Sequence, residues 1–276
     1  MSIDRVRTID RMDRQTDSGA SNLLYRHPEL YEVVYDGANH AVARLAETIM
    51  RDELGHPPAS LLDLGCGTGR DLEYLASLIP DVVGVDHQQA MLDYARHRRP
   101  DIDFRLGDMR TLRLERTFEV ITSFGYALAD IHANRDIDRV MATYAAHSQR
   151  GTLLILEVID PLRTHELPRN LTIDIPDLRA DAITEYRHHH AQQLLEQHRT
   201  WRRAHGLVHD LAHLRLLHPK ELEYYLDNHG FEVLGAYELP EKHTAASAFV
   251  TARYRGEPTR PDDPRRSVQP DAFPRA

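Results

Sequence analysis

The segment Gly65-Cys66-Gly67-Thr68-Gly69 is the part of the chain whose residue types and spacing most directly indicate chemistry. Glycines let the backbone turn tightly and let a ligand approach the main chain closely. An apolar run, Leu61 to Leu64, precedes this loop, and an amphipathic helix follows it. Unpaired N–H groups at the start of that helix can face an electron-rich ligand. Strand, loop and helix in this order predict the first half of a nucleotide-binding βαβ unit.

Two more predicted strands end in acidic residues. Asp86 ends the second strand, 17 positions after Gly69, and a carboxylate at that position can accept hydrogen bonds from both hydroxyls of a ribose. The third strand is followed by Gly107-Asp108-Met109. The dinucleotide fingerprint G-x-G-x-x-G is not met, because Arg70 occupies the place of its third glycine. The pattern therefore disfavours a nicotinamide cofactor.

The three motifs in order, DLGCGTG, then GVD, then GDM, resemble those of the class I S-adenosylmethionine-dependent methyltransferases. The resemblance covers roughly residues 25 to 254. It implies S-adenosylmethionine as the cofactor and an α/β fold, with a doubly wound Rossmann-like seven-stranded sheet and an antiparallel lid insertion. The alternation of apolar strands and amphipathic helices up to Pro161 also predicts a parallel sheet with helices on both faces.

By position, the resemblance assigns each motif to a part of the cofactor. The loop would contact the methionine part, Asp86 the ribose, and Asp108 the adenine amino group. The main chain of Met109 would read the ring edge. The cofactor-binding residues expected from these motifs and their flanks are Asp63, Gly65, Cys66, Gly67, Asp86, His87, Met91, Gly107, Asp108 and Met109.

Four further residues are expected at the sulfonium and amino-acid end of the cofactor. In related enzymes an N-terminal aromatic segment covers this end, which assigns Tyr25 and Tyr35 to a cap; ordinary amphipathic packing is the alternative for both. Arg44 either pairs with the carboxylate of the cofactor or lies on the solvated face of its helix. The main chain around Phe124, after the fourth strand, would meet the amino group and the transferring methyl.

Methyl transfer itself asks mainly for alignment and exclusion of water. An amine acceptor needs only to arrive neutral, whereas a hydroxyl or carbon acceptor needs a general base. The catalytic candidates are Tyr126, His132 and Glu157, and Asp130 and the histidines of the lid also stay open.

The layout, with cap helices and an antiparallel lid, is similar to that of small-molecule N-methyltransferases acting on glycine or on amino sugars of antibiotics. N-methylation of a secondary metabolite in antibiotic biosynthesis is therefore the expected function. O- or C-methylation of a small natural product is one alternative, and a non-catalytic cofactor-binding module is another. Aromatic residues in and after the lid suit a ring-bearing acceptor, although they can equally pack the lid onto the sheet.

Composition excludes several classes of partner. The 276 residues carry a formal net charge of −9, which argues against binding to a nucleic-acid backbone. No apolar run approaches the roughly 20 residues of a membrane-spanning helix, and the charged N-terminal segment is unlike a secretory signal. The single cysteine fits a reducing cytoplasm. Antiparallel lids in such folds often mediate dimers, so a homodimer is a further expectation.

The predicted organisation is a methyltransferase domain over residues 21–254, flanked by disordered tails at 1–20 and 255–276. Within the domain, residues 21–55 form cap helices and residues 161–217 form the lid. Many of the 18 histidines lie in or beside the lid. Because no thiolate partner accompanies them, and three consecutive histidines on a strand alternate between its faces, no metal site is predicted.

Overall fold

The computed structural model describes residues 23–35, 40–175, 178–203, 206–238 and 246–256. The predicted tails lie outside the described residues, apart from residues 255 and 256. Within the described part of the chain no helix is both long and apolar enough to cross a membrane.

The described residues form seven α-helices, eleven strands and three short 3-10 helices. The helices are α1 Leu23–Arg26, α2 Pro28–Tyr35, α3 Ala41–Leu54, α4 Arg70–Leu75, α5 Gln89–Arg98, α6 Asn134–Ala146 and α7 Pro219–Asn228. The strands are β1 Ser60–Leu64, β2 Asp81–Asp86, β3 Asp103–Leu106, β4 Phe118–Ser123, β5 Ser148–Ile159, β6 Asn170–Ile175, β7 Leu178–His189, β8 Leu194–Arg203, β9 Gly206–Arg215, β10 Phe231–Tyr237 and β11 Ser247–Tyr254.

A seven-stranded sheet in the order β10-β11-β5-β4-β1-β2-β3 forms the centre of the fold. Strand β1 pairs in parallel with β2 and with β4, so the carboxyl ends of these strands meet at one edge. The strands are apolar on both faces, and two buried clusters cover them, one containing α6 and α7 and the other α3, α4 and α5. Burial on both faces is what a parallel sheet requires.

The far side of this sheet is antiparallel. Strand β11 lies between β5 and β10 and runs opposite to both. The expected fold class is confirmed: an α/β doubly wound sheet of seven strands whose last strand inserts antiparallel, together with a separate lid.

The lid is a four-stranded antiparallel sheet in the order β6-β7-β8-β9, inserted between β5 and α7. Its strands pair with their neighbours in sequence, as in a meander. Two apolar clusters attach the lid to the rest of the fold. One packs Trp201 with Leu23 and Leu30 of the N-terminal helices, and the other packs Leu195 with Ala129 and Ala246.

Candidate active site

The glycine loop lies at the carboxyl end of β1. Its entry is held by main-chain hydrogen bonds, because Gly65 N and Cys66 N donate to Val85 O at 2.8 and 3.0 Å. A Cβ on Gly69 would lie 2.4 Å from Cζ of Phe104, so the backbone approaches β3 closely there. Gly67 has a φ of +55°, and a Cβ at this position would meet no atom within 4 Å. The main chain at Gly67 therefore faces open space.

Asp86 lies directly beside this opening. Its Oδ2 accepts a hydrogen bond from Gly67 N and its Oδ1 accepts one from Gln88 N, both at 2.8 Å. The residue is only 8% exposed. Each carboxylate oxygen has two lone pairs, so both oxygens can also accept a hydroxyl from a ligand.

Asp63 lies beneath the loop within β1. Its Oδ1 accepts a hydrogen bond of 2.8 Å from the hydroxyl of Thr122, and the residue is 3% exposed. Burial raises the pKa of Asp63 to about 7, and the Thr122 hydrogen bond acts in the opposite direction. A cationic ligand above the loop would favour the ionised form of this carboxyl.

Asp108 and Met109 follow β3 as expected. The guanidinium of Arg110 forks onto the carboxylate of Asp108, with Nε 2.9 Å from Oδ1 and Nη2 2.5 Å from Oδ2. This pairing lowers the pKa of Asp108, which is half-buried. Gly107 N donates to Asp86 O at 2.9 Å, so the two acidic strand ends are held side by side.

The other adenosine-flanking candidates differ in exposure. His87 is exposed, with Nδ1 3.7 Å from Asp86 Oδ1. Met91 is buried in α5. Burial raises the pKa of the Cys66 thiol well above its usual value, which disfavours a thiolate in the loop.

The three N-terminal tyrosines form one cluster of tilted rings, the tyrosine cluster. The ring centroids of Tyr31 and Tyr35 are 4.7 Å apart, and those of Tyr25 and Tyr31 are 6.3 Å apart. A Cβ on Gly125 would lie 3.5 Å from the Tyr31 hydroxyl, so the tyrosine cluster reaches the loop after β4. Burial raises the pKa of both Tyr25 and Tyr31, which keeps their hydroxyls neutral.

Two arginines near the loop were not recognised as site residues from the sequence. Arg70 Nη1 donates to Tyr35 O, and Arg70 Nη2 lies 3.6 Å from Asp71 Oδ2. Arg99 is 6% exposed and donates to Thr68 O, Glu73 and Glu32 at 3.1, 2.9 and 3.2 Å. Arg70 could have been found, since it directly follows the loop, but nothing in the sequence connects Arg99 to it.

Arg44 lies on the exposed face of α3, and its Cζ is 5.0 Å from the centroid of the Tyr74 ring. Phe124 is buried, with its ring 6.3 Å from that of Phe249, so its side chain belongs to the core.

Two of the catalytic candidates lie in one hydrogen-bond chain. Glu157 Oε2 accepts from Gly125 N and Glu157 Oε1 accepts from the Ser247 hydroxyl, both at 2.7 Å. Because Ser247 uses its proton on Glu157, Tyr126 must donate in the 2.6 Å contact between the two hydroxyls. Burial raises the pKa of Glu157 to about 6. Glu157 therefore fixes the turn that carries Tyr126.

His132 does not belong to this chain. It is exposed, and its Nε2 donates to His213 O of the lid at 2.8 Å. Asp130 lies two residues earlier and is half-buried, with Oδ2 3.5 Å from the Tyr25 hydroxyl. Burial raises the pKa of Asp130 to about 6. Asp130 therefore lies beside the tyrosine cluster, whereas His132 joins its loop to the lid.

The lid histidines surround one carboxylate on the outer face of that sheet. Glu196 lies 3.3 Å from His189 and 3.5 Å from His213, and it also contacts His198. In the described ranges no group of three or more histidine, cysteine or acidic side chains could hold a metal ion.

Comparison with known proteins agrees with this geometry. Residues 61–151 match the family model described as a methyltransferase domain. The match begins in β1 and includes the glycine loop, Asp86 and Asp108. Residues 61–151 therefore match a methyltransferase domain, and the expected cofactor, S-adenosylmethionine, is confirmed.

The curated relatives include enzymes that methylate amino sugars. The chain is 31% identical over 133 residues to a dTDP-3-amino-3,4,6-trideoxy-alpha-D-glucopyranose N,N-dimethyltransferase of Streptomyces venezuelae, covering 48% of this chain and 56% of that one. It is 33% identical over 131 residues to a dTDP-3-amino-3,6-dideoxy-alpha-D-glucopyranose N,N-dimethyltransferase of Streptomyces fradiae, covering 47% and 51%. The chain thus spans about half the length of these relatives.

Solved structures extend the likeness over most of the fold. An S-adenosylmethionine-bound amino pentose methyltransferase of calicheamicin biosynthesis from Micromonospora echinaspora superposes with a TM-score of 0.70 and 26% identity, covering 81% of this chain and 96% of that one. A sugar N-methyltransferase from Streptoalloteichus sp gives a TM-score of 0.69 over 87% and 95%, at 18% identity, and shows a shared fold.

Proposed function

We propose that this protein transfers a methyl group from S-adenosylmethionine to the amino nitrogen of an amino sugar. The observation that carries the proposal is the open main chain at Gly67, hydrogen-bonded to Asp86 at the carboxyl edge of the sheet. The amino-sugar enzymes among the relatives and solved structures support the acceptor class. A homodimer and a cytoplasmic location stay predictions.

Buried polar atoms near the loop fit the amino-acid end of the cofactor. Thr68 Oγ1, Arg70 Nε and Asp71 Oδ1 are buried and have no hydrogen-bond partner among the described residues. A cation and an anion side by side suit a ligand that carries both a carboxylate and an ammonium group. Arg70 would hold the carboxylate, and Asp71 would hold the ammonium group.

The remaining cofactor-binding assignments follow the edge of the sheet. Asp86 would hold the ribose hydroxyls, and Asp108, oriented by Arg110, would accept from the adenine amino group. S-adenosylmethionine supplies a methyl group activated by a positively charged sulfur. The tyrosine cluster would cover this end of the site and exclude water from it.

The side chains near the acceptor would position an amine and remove its proton. The Glu157–Ser247 pair orients the Tyr126 hydroxyl, which would contact the acceptor. Asp130, with a pKa raised to about 6 by burial, is mostly ionised at neutral pH and can accept a proton from an ammonium group. Asp130 is therefore the base we favour, because it is only half-buried, whereas Glu157 is 2% exposed and holds the turn that carries Tyr126.

A radiolabelled methyl-transfer assay tests the proposal. The purified protein is incubated with S-adenosylmethionine carrying a tritiated methyl group and with three acceptors: a dTDP-linked amino sugar, a free amino sugar and glycine. We expect label in an amino-sugar product. Label in glycine alone, or tight cofactor binding without transfer to any amine, would contradict the amino-sugar assignment.

The Asp130→Asn variant tests whether Asp130 is the base that removes the proton of the acceptor ammonium group. We expect kcat to fall at least tenfold at pH 7 and to recover as pH rises, because a larger fraction of the amine then arrives neutral. Asp138→Asn, at an exposed position of the neighbouring helix α6, is the matched control and should retain wild-type kcat. A pH-independent loss in Asp130→Asn would argue against a proton-accepting role.

A further inference from the structure

Helices α1 and α2, which carry the tyrosine cluster, pack against the lid as well as against the parallel-sheet part of the fold. We call these two helices the cap. Leu23, Leu24 and Leu30 of the cap are fully buried in one apolar cluster with Trp201 and other side chains of the lid. Tyr31 of the tyrosine cluster packs against the same apolar cluster. The cap therefore shares a small core with the lid.

One carboxylate fastens this contact. Asp210 of β9 is 7% exposed, and its Oδ2 accepts a hydrogen bond from Leu23 N at 3.2 Å and another from Trp201 Nε1 at 2.9 Å. The first donor is the first N–H of α1, which has no partner inside its own helix. The second donor belongs to β8 of the lid. Because a buried carboxylate or N–H that loses its partner is costly, separation of α1 from the lid is disfavoured.

Towards the parallel sheet, the cap is held by polar contacts around the proposed cofactor site. Arg70 Nη1 donates to Tyr35 O, and the Tyr25 hydroxyl lies 3.5 Å from Asp130 Oδ2. Since the tyrosine cluster would cover the sulfonium end of the cofactor, entry and release of the cofactor require these contacts to open. The cap is fastened to the lid, so the lid would move with it.

The lid also borders the acceptor side of the site. Tyr186 of β7 packs against the same apolar cluster as Tyr126, whose hydroxyl is proposed to contact the acceptor, and this cluster contains Leu195 of β8. His132, in the loop that follows β4, donates to His213 O of β9 at 2.8 Å. A movement of the lid would therefore change the surroundings of the acceptor.

We propose that Asp210 is a positioning residue that couples the cap to the lid, so that a cofactor bound beneath the tyrosine cluster also closes the lid over the acceptor site. This inference rests on the proposed position of the tyrosine cluster over the cofactor, and it does not depend on which amine is methylated. Bound cofactor then strengthens acceptor binding, and bound acceptor retains the cofactor, because coupling between two sites is reciprocal. Binding of the cofactor before the acceptor is the order that this coupling favours.

Hydrogen exchange measured by mass spectrometry tests the coupling. The amides of the cap and those of lid strands β8 and β9 are followed in the wild-type protein with and without saturating S-adenosylhomocysteine. We expect the ligand to slow exchange about tenfold in both segments, as in typical coupling between two sites. Asp210→Leu has a similar size but no hydrogen-bond acceptor. In this variant the ligand should still slow exchange in the cap and should leave exchange in the lid unchanged.

Two further variants separate a positioning role from a purely structural one. Asp210→Asn retains a carbonyl oxygen that can accept both hydrogen bonds, and it should restore the slowing of the lid by the ligand. Asp181→Leu, at an exposed position of β7, is the matched control and should respond as the wild type does. If Asp210 only stabilises the lid, exchange in Asp210→Leu rises with and without ligand, and the ligand still slows the lid. That result would overturn the proposal.

A second pair of variants tests the same hydrogen bond from the side of the cap, and it decides the question if Asp210→Leu does not fold. Leu23→Pro and Leu23→Ala both remove the buried side chain, but only Leu23→Pro also removes the N–H that donates to Asp210. Proline is tolerated in the first turn of a helix, so the two variants differ mainly in this donor. We expect the ligand to slow the lid in Leu23→Ala and not in Leu23→Pro. Equal slowing in both would contradict the coupling.

The response of the wild-type protein distinguishes failure of this inference from failure of the proposed function. If S-adenosylhomocysteine binds and slows exchange in the cap alone, the cap and the lid move independently and the coupling is wrong. If it binds without slowing the cap, the tyrosine cluster does not cover the cofactor, and the coupling is wrong together with that assignment. If calorimetry shows no binding at millimolar ligand, the proposed function is wrong and the coupling with it.

Discussion

The proposed cofactor site is centred on a hydrogen bond between Gly67 and Asp86. The Gly67 N–H donates to Asp86 Oδ2, and the second oxygen is held by Gln88 N. The loop and the acidic strand end are thus fixed relative to each other before a ligand binds. Such preorganisation lowers the ordering cost of binding.

Alanine at position 67 has two effects: it strains the backbone, and it fills the space that a ligand would occupy. In Gly67→Ala the left-handed φ costs about 1–2 kcal/mol of folding free energy, and the new methyl group fills the opening above the loop. We expect affinity for S-adenosylhomocysteine, measured by calorimetry, to fall at least tenfold. Gly55→Ala is the matched control, because Gly55 has a φ of +71°, an equally open surrounding and a position at the end of α3. It should lose similar stability and no affinity; equal affinities in the two variants would refute the assignment.

The titration of Asp63 gives a pH-dependent stability with a defined sign. Burial raises the folded-state pKa of this carboxyl to about 7, above its unfolded value of roughly 4. Its contribution to stability is therefore complete below about pH 4 and is lost as pH rises towards 7. The Asp63→Asn variant keeps an acceptor for Thr122, so its unliganded Tm should exceed that of the wild type at pH 7.5 by several degrees. A wild-type Tm with the same pH dependence as Asp63→Asn would show that Asp63 does not titrate in this range.

The site residues that could be predicted from the sequence are those whose position at the end of a predicted strand indicates a role. Asp86 and Asp108 follow predicted strands, and the three glycines follow a third. Arg99 was missed because it lies 31 positions from Thr68, the loop residue that it contacts. The orientation of Arg44 was left open for a similar reason: the helix periodicity does not specify which face meets the ligand.

At the element scale, one buried arginine joins the tyrosine cap to the glycine loop. Arg99 follows α5 and contacts the loop at Thr68, helix α4 at Glu73 and helix α2 at Glu32. Helix α2 carries Tyr31 and Tyr35. The position of the cap over the site therefore depends on a charge that is almost fully shielded from solvent.

Removal of this charge should loosen the cap. Arg99→Met leaves the partly buried Glu32 without its cation, and breaking a buried pair typically costs about 3–5 kcal/mol. We expect a clearly lower Tm and weaker binding of S-adenosylhomocysteine. Arg98→Met, one residue earlier and exposed, should change neither. An Arg99→Met protein with wild-type Tm and affinity would show that the cap is held by its apolar contacts alone.

Most helices and strands could be predicted because the spacing of their apolar residues clearly fits one of the two. Strands β1, β2 and β3 precede their three motifs as predicted, and the lid forms one antiparallel sheet within residues 161–217. The end of α6 was harder to place. A glycine often follows the last residue of a helix, which would place the end of α6 close to Gly151. The helix instead ends at Ala146, and Gly151 lies within β5 with a φ of +100°. Tertiary pairing of β5 with Phe118 extends the strand through residues whose local pattern resembles a helix end.

At the scale of the whole molecule, the site lies where two sheets face each other. The parallel sheet supplies Asp86, Asp108 and Glu157, and the buried face of the lid carries Gln197 and Arg199. Arg215, at the end of β9, ties the two parts together. It is 5% exposed and donates to Gln192 O at 2.9 Å, Asn134 at 3.1 Å and Glu221 at 2.5 Å. The lid is therefore anchored at this end to α6 and α7.

The placement of the lid over the sheet was only partly contained in the sequence. The turn at Asp160-Pro161 marks its start, and alternating polarity predicts its strands. Which of its two faces points inward depends on register, because a shift of one residue exchanges the faces. That register puts Arg199 inside and the Glu196 histidine cluster outside.

The proposed function requires that a nucleoside binds at the carboxyl end of β2. Titration of S-adenosylhomocysteine into wild type, Asp86→Asn and Asp81→Asn measures this, because the two aspartates lie at opposite ends of the same strand. We predict saturable one-to-one binding by the wild type and by Asp81→Asn, and at least a tenfold weaker affinity in Asp86→Asn. No binding by the wild type at millimolar ligand, or equal affinity in Asp86→Asn, would contradict the account.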